Sequence, residues 1–174
     1  MALTRKSSII PLGLLGIMFT LMLASSWSDS AIMDELAHVP AGYSYVFLRD
    51  YRLNPEHPPL LKMLAALPLA FTDVQFPTDA RSWTDDVNGQ WEQGRLFLYG
   101  TGNDAERILG LMRLPEMLLA ILFGAMLWAW TRRHLDIRTA NLALFFYTLS
   151  PTFIAHSRFV TTDLAAAFGF FIGI

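Results

Sequence analysis

Four long stretches of the sequence contain no Asp, Glu, Lys or Arg, and they restrict the possible folds more than any other feature. They are residues 9–24, 117–131, 139–157 and 164–174. A transmembrane helix needs roughly 20 predominantly apolar residues. With flanking residues the first three runs reach that length, and the fourth is shorter. The pattern predicts an all-α, polytopic membrane protein, of which this chain is the N-terminal portion.

Composition supports this interpretation. Charged residues make up 16% of the chain, against about 25% in a soluble domain. The chain has no cysteine, so it forms no disulfide, and no basic cluster indicates a nucleic-acid partner. The first apolar run also fits a signal peptide, since Arg5 and Lys6 precede it and small residues follow at 24–26. Its length favours a retained anchor.

Basic residues predict how the helices are oriented, because short Lys- and Arg-rich loops stay cytoplasmic. Arg5 and Lys6 precede the first span, and Arg132, Arg133 and Arg138 lie between the second and third. The long acidic loop then lies on the periplasmic or extracellular face of the cell membrane. The predicted segments are a cytoplasmic N-terminus (1–8), transmembrane helix 1 (9–28), an external loop (29–106), transmembrane helix 2 (107–132), a cytoplasmic turn (133–137), transmembrane helix 3 (138–157), and an external turn with a truncated fourth transmembrane helix (158–174).

The external loop contains two amphipathic segments, near 33–49 and 58–70, that are typical of interfacial helices. Within the first, Asp34 and His38 are four residues apart and share a helix face, whereas Glu35 points about 100° away. Asp34 and His38 can therefore form one polar site. Alternatively, Asp34 and His38 are both solvated at the membrane edge.

The stretch between the two segments, NPEHPP at 54–59, places polar residues before a helix that starts at a double proline. Proline suits the first helical turn, and a helix N-terminus attracts anions. Lys62 lies one turn into this helix, so the sequence predicts a site for the phosphate of a lipid head group. Glu56 and His57 are candidate ligands for a divalent metal ion or for a sugar phosphate. A plain helix cap with exposed charges is the alternative.

The predicted turn after the third span contains His156 and Arg158, and Asp163 opens the next apolar helix. An ionisable residue at such a position indicates a functional site. Alternatively, Asp163 is an acid favoured by the helix dipole, with Thr161 or Thr162 as cap. The predicted topology brings all three side chains to the face that carries Asp34 and Glu56.

Three strings resemble phospholipid-carrier-dependent glycosyltransferases, the membrane superfamily of protein O-mannosyltransferases and the lipid A aminoarabinose transferase. They are DELAHVPAGYSYVFLRDYRLNPEHPPLLKMLAALPL, GRLFLYGTGNDAERILGLMRLPEMLLAILFG and LSPTFIAHSRFVTTDLAAAFG. The resemblance implies a hexosyltransferase, such as one acting in protein glycosylation. Its donor would be a polyprenyl-phosphate sugar in the membrane lipid, and its acceptor a protein or lipid hydroxyl.

The resemblance also implies roles for individual residues. Asp34 and Glu35 match the acidic motif of the first external loop, with Asp34 as general base, and Asp163 matches a later acid, so these three are the expected catalytic residues. Glu56 matches an acid followed by a basic residue and two prolines, although His57 stands where the aminoarabinose transferase has Lys. The expected substrate-binding residues are His38, Glu56, His57, Lys62, His156 and Arg158. Arg113 is either a further phosphate contact or the partner of Glu116. A transporter, a non-catalytic subunit and an inactive fragment remain alternatives.

Overall fold

The computed structural model describes residues 9–173, and every regular element in that range is helical. The predicted all-α class is therefore confirmed, and the predicted segment 1–8 lies outside the described residues. The elements are α1 (Ile9–Ser26), α2 (Met33–Tyr43) with a π-helical turn (Ser44–Leu48), α3 (Pro59–Ala66) with a 3₁₀ turn (Leu67–Phe71), α4 (Arg81–Thr84), α5 (Gln90–Tyr99), α6 (Ala105–His134), α7 (Ile137–Thr148), α8 (Pro151–His156) and α9 (Asp163–Ile172).

Two of these helices, α1 and α6, are long and apolar enough to cross a membrane. Both lie within two residues of their predicted bounds at 9–28 and 107–132. The 30 residues of α6 extend about 45 Å at the usual rise per residue. Its first turn is capped by the Asp104 carboxylate, which accepts from the Arg107 backbone N–H at 3.0 Å. Arg132, Arg133 and His134 occupy its last turn, where cations are favoured by the helix dipole.

Helices α1 and α7 both pack antiparallel to α6. A Cβ on Gly124 of α6 would touch both Leu15 of α1 and Tyr147 of α7 at 2.8 Å, so the glycine permits this close approach. The Tyr147 hydroxyl donates to the Ala120 carbonyl at 2.9 Å. The end of α1 therefore lies beside the first half of α6, and the basic end of α6 lies at the opposite end of the bundle.

The buried apolar residues form two main clusters, and α6 contributes to both. One cluster joins α1, α6, α7 and α9, and Met117, Ala120 and Phe123 are its buried α6 members. The other joins α2, α3, α5 and the start of α6, with Ile108 and Met112. Arg113 and Glu116 lie between these two sets of α6 residues. The loop over 29–104 is thus a packed layer seated on the first turns of α6.

The predicted third helix at 138–157 is instead two helices, because the chain turns at Ser150. Its ψ of 121° is extended, as expected for a residue that precedes proline, and Pro151 then begins α8. The 12 residues of α7 are fewer than the roughly 20 that span a bilayer.

The packing of α5 against α2 was missed by sequence reasoning. A Cβ on Gly94 would lie 1.8 Å from the Leu36 carbonyl oxygen, so only glycine allows the two helices to approach this closely. Pro40 has no N–H, which leaves the Leu36 carbonyl without its usual helical donor. Despite Pro40, α2 continues to Tyr43 before it widens into the π turn.

Candidate functional site

The candidate site lies where α2 meets the connection between α8 and α9. Asp34 is exposed in the first turn of α2, and His38 is buried one turn further on. Nδ1 of His38 is 2.9 Å from the carbonyl oxygen of Val160, which is 122 residues away in sequence. This bond joins the packed layer formed by residues 29–104 to the segment that leads into Asp163. Three residues span at most about 11 Å, so Asp163 begins α9 near the same site.

His57 completes the polar surface beside His38. Its exposed ring lies edge-on to the His38 ring, with centroids 5.1 Å apart. Burial is the main cause that lowers the pKa of His38, and nearby Lys62 and His57 add to the shift. The two imidazole rings are thus in direct contact, and Asp34 lies one helical turn before His38.

The NPEHPP loop is stabilised by hydrogen bonds from the buried side chain of Lys62, which is 1% exposed. Its Nζ donates to the Asn54 carbonyl at 2.7 Å, to the Asn54 Oδ1 at 2.9 Å and to the His57 carbonyl at 2.9 Å. The Tyr45 hydroxyl lies 3.1 Å away. The expected contact between Lys62 and a phosphate is not made in this arrangement, because its ammonium hydrogens are used by the loop. The role of Lys62 is to shape the loop that presents His57.

Replacing Lys62 with Met should lower the free energy of unfolding by about 1–3 kcal/mol, because several buried oxygens lose their donor. The pH dependence provides the control. Burial lowers the pKa of Lys62 from 10.5 to about 8, so between these values the unfolded chain binds more protons than the folded one. The wild type should therefore gain stability relative to Lys62→Met as the pH rises through that window. Denaturation in detergent at several pH values measures this, and a constant difference would contradict the burial of a charged lysine.

Glu56 is engaged by its own loop. Its Oε1 accepts from Asn54 Nδ2 at 3.0 Å and from Gln90 Nε2 at 2.9 Å. A hydrogen bond from its own backbone amide is the first cause that lowers the pKa of Glu56, and the Gln90 bond contributes further. In residues 9–173 no three His, Asp or Glu side chains are placed to hold a metal ion. A divalent metal ion bound by Glu56 and His57 stays a prediction.

Glu35 does not fit the expected catalytic role, because its side chain is fully buried and its carboxylate is enclosed by donors. Arg113 donates to it twice, from Nε at 2.9 Å and from Nη2 at 2.7 Å. The backbone amides of Ile32 and Val160 donate to it at 3.1 Å each. This carboxylate is therefore shielded from direct contact with a substrate.

Arg113 is therefore a structural cation, and neither of its two predicted roles is found. Besides Glu35, its guanidinium donates to the carbonyls of Ser26, Asp29 and Ser30 at 3.0–3.1 Å. It thereby fixes the connection between α1 and α2. Glu116, its suggested partner, is buried, and neither of its oxygens has a hydrogen-bond partner within the described part of the chain.

The remaining expected residues divide into two groups. Asp163 and His156 form an exposed pair, with the Asp163 Oδ2 3.0 Å from the His156 Nδ1. Arg158 donates to the Asp29 carboxylate and to the Ser25 carbonyl. It therefore contacts the end of α1, and its binding of substrate stays a prediction.

An apolar groove of about 380 Å³ lies between α3 and α9. Pro58 and Thr162 are among its lining residues. Their chain neighbours are His57 and Asp163. Leu61, Leu64 and Phe168 also line it. The polar site therefore adjoins this apolar groove, and the combination suits an amphipathic molecule.

Comparisons with known proteins gave no match to any family model, curated protein or solved structure. The fold and site define an all-helical protein with two membrane-length helices and a polar cluster at one end of its bundle.

Proposed function

We propose that this chain is the N-terminal part of a multi-pass membrane glycosyltransferase that transfers a sugar from a polyprenyl-phosphate donor to an acceptor hydroxyl. The observation that carries the proposal is the gathering of Asp34, His38, His57 and the start of α9 beside an apolar groove. A lipid-linked sugar has a polar head that fits such a cluster and a chain that fits such a groove. The resemblance of the sequence to carrier-dependent transferases supports the same assignment.

The charge distribution supports the orientation in this proposal. Arg132, Arg133 and Arg138 lie at the end of the bundle opposite to His38, and basic loops remain cytoplasmic. The site then faces the periplasm or the cell exterior, where the acceptor is a protein or a lipid.

In the proposed reaction, the acceptor hydroxyl gives its proton to the Asp34 carboxylate as its oxygen attacks the anomeric carbon. A bond forms between this oxygen and the anomeric carbon, and the bond from that carbon to the phosphate oxygen breaks. The polyprenyl phosphate leaves with the electron pair. A positioned carboxylate suits this proton transfer, and Asp34 is the exposed acid nearest to His38 in the helix.

The departing phosphate requires stabilisation of its growing charge. His57 is placed for this role, because it is exposed, adjoins the groove and precedes the N-terminus of α3, where backbone N–H groups favour anions. Lys62 contributes indirectly by holding the His57 carbonyl.

The direct test is transfer of a labelled sugar from a polyprenyl-phosphate donor by the full-length protein in proteoliposomes. Formation of a glycosylated acceptor and free polyprenyl phosphate supports the proposal. Movement of a solute across the vesicle membrane without any transfer would instead identify a transporter.

Replacing His57 with Ala should weaken donor binding by about tenfold to a hundredfold, the range expected for a hydrogen bond to a charged group, and should affect turnover less. His134→Ala is the matched control, because His134 lies at the far end of α6. Binding of the donor to detergent-purified protein measures the effect. Equal affinity in His57→Ala and His134→Ala would remove His57 from the phosphate site.

A further inference from the structure

A continuous chain of hydrogen bonds runs from the buried ion pair to the candidate site. Arg113 holds Glu35 with two bonds. The Oε1 of Glu35 accepts from the Val160 N–H at 3.1 Å. The carbonyl of the same residue, Val160, lies 2.9 Å from the His38 Nδ1. One residue of the α8–α9 connection thus contacts the ion pair through its N–H and the imidazole through its C=O.

The chemistry of this chain fixes where the His38 proton lies. A carbonyl oxygen can only accept a hydrogen bond, so Nδ1 must carry the hydrogen that it donates to Val160. In a neutral imidazole the other nitrogen then keeps its lone pair. His38 is 4% exposed, and burial disfavours its charged form.

We propose that the Arg113–Glu35 ion pair is a positioning device that acts through Val160 to hold His38 protonated on Nδ1, so that Nε2 is a second proton acceptor of the site. Glu35 fixes the position of Val160, and Val160 fixes the tautomer of His38. Nε2 accepts a hydrogen bond from the substrate hydroxyl beside Asp34. This last step rests on the proposed function, whereas the tautomer does not.

The tautomer can be observed directly in the full-length protein in detergent micelles. With selective ¹⁵N-histidine labelling, the ring signals that disappear in His38→Gln are those of His38. The wild type should show a protonated Nδ1 and an unprotonated Nε2. His57→Gln should leave this pattern unchanged, because the bond to Val160 remains. A His38 protonated on Nε2 would overturn the proposal.

The role of the ion pair is tested by Glu35→Gln, which removes the charge and should give a mixture of His38 tautomers. If Glu35→Gln does not fold, the double variant Glu35→Gln with Arg113→Met is used instead. It removes both buried charges and should give the same mixture of His38 tautomers. A single Nδ1-protonated tautomer in the folded variant would show that the pair does not control His38.

The role of Nε2 is tested separately by His38→Asn. Its amide can keep the bond to Val160 but has no group in place of Nε2. Sugar transfer should fall by about tenfold, less than a lost general base costs, because Asp34 remains. Unchanged transfer would overturn the role of Nε2. An inactive wild type would instead count against the proposed function, and the NMR result would still decide the tautomer.

Discussion

Replacing Arg113 with Met should destabilise the folded protein by about 3–5 kcal/mol, because removal of one partner leaves a buried charge without compensation. Arg113 and Glu35 are 2% and 0% exposed, so water cannot replace the lost partner. Three backbone carbonyls of the α1–α2 connection would also lose their donor. Equilibrium unfolding of the purified protein in detergent measures the change.

The double variant Arg113→Met with Glu35→Leu should regain only part of this loss. It removes the uncompensated buried charge, but the three carbonyls still lack their donor. Arg95→Met is the matched control, because Arg95 forms a bidentate pair with Glu92 at an exposed site. It should leave stability unchanged, as surface pairs generally contribute little. Equal effects of Arg113→Met and Arg95→Met would contradict the structural role of Arg113.

Replacing Asp34 with Asn should reduce sugar transfer by about 10²–10⁴-fold, the usual contribution of a positioned proton acceptor. The amide keeps the shape of the side chain and removes the base, so binding of the donor should stay nearly intact. Asp34 is exposed, and its replacement leaves no buried group unpaired. The test measures donor binding and transfer separately on the same preparation.

Asp79→Asn is the control for this experiment, because Asp79 is an exposed acid elsewhere in the same loop layer. It should retain wild-type transfer. Full activity in Asp34→Asn would remove Asp34 from the reaction. If transfer and donor binding fell together, Asp34 would instead hold the loop layer in shape.

Much of the helical content follows from local patterns in the sequence. Apolar runs predicted α1 and α6 to within two residues, and the double proline predicted the start of α3. The turn at Ser150 was missed because a long apolar run outweighed a single X-Pro signal. Sequence reasoning also missed α5, whose packing on α2 depends on a glycine that carries no periodic pattern.

The site was predicted in part, and the errors share a physical cause. Spacing placed Asp34 with His38 on one helix face, and topology placed the start of α9 at the same end of the bundle. The resemblance led us to expect Glu35 to be catalytic, and the position of Lys62 one turn into α3 led us to expect a phosphate contact, but both side chains are buried. Whether a charged side chain is buried depends on distant partners, here Arg113 and the carbonyls of Asn54 and His57. No local pattern reveals partners that are 78 residues apart.

The bond between Arg113 and Glu35 has a consequence for how the protein is made. An arginine in a membrane helix is costly, by about 2.5–3.5 kcal/mol at the helix centre on insertion scales, and α6 carries both Arg113 and the buried Glu116. Glu35 is synthesised 78 residues before Arg113, so in the proposed orientation it is available on the outer face when α6 enters the bilayer. We expect α6 to settle at its final depth only once α2 has supplied this carboxylate. A ribosome-stalled chain carrying Glu35→Leu should therefore show α6 inserted less completely than the wild-type chain. The layer formed by residues 29–104 would then act as a docking partner for the nascent helix.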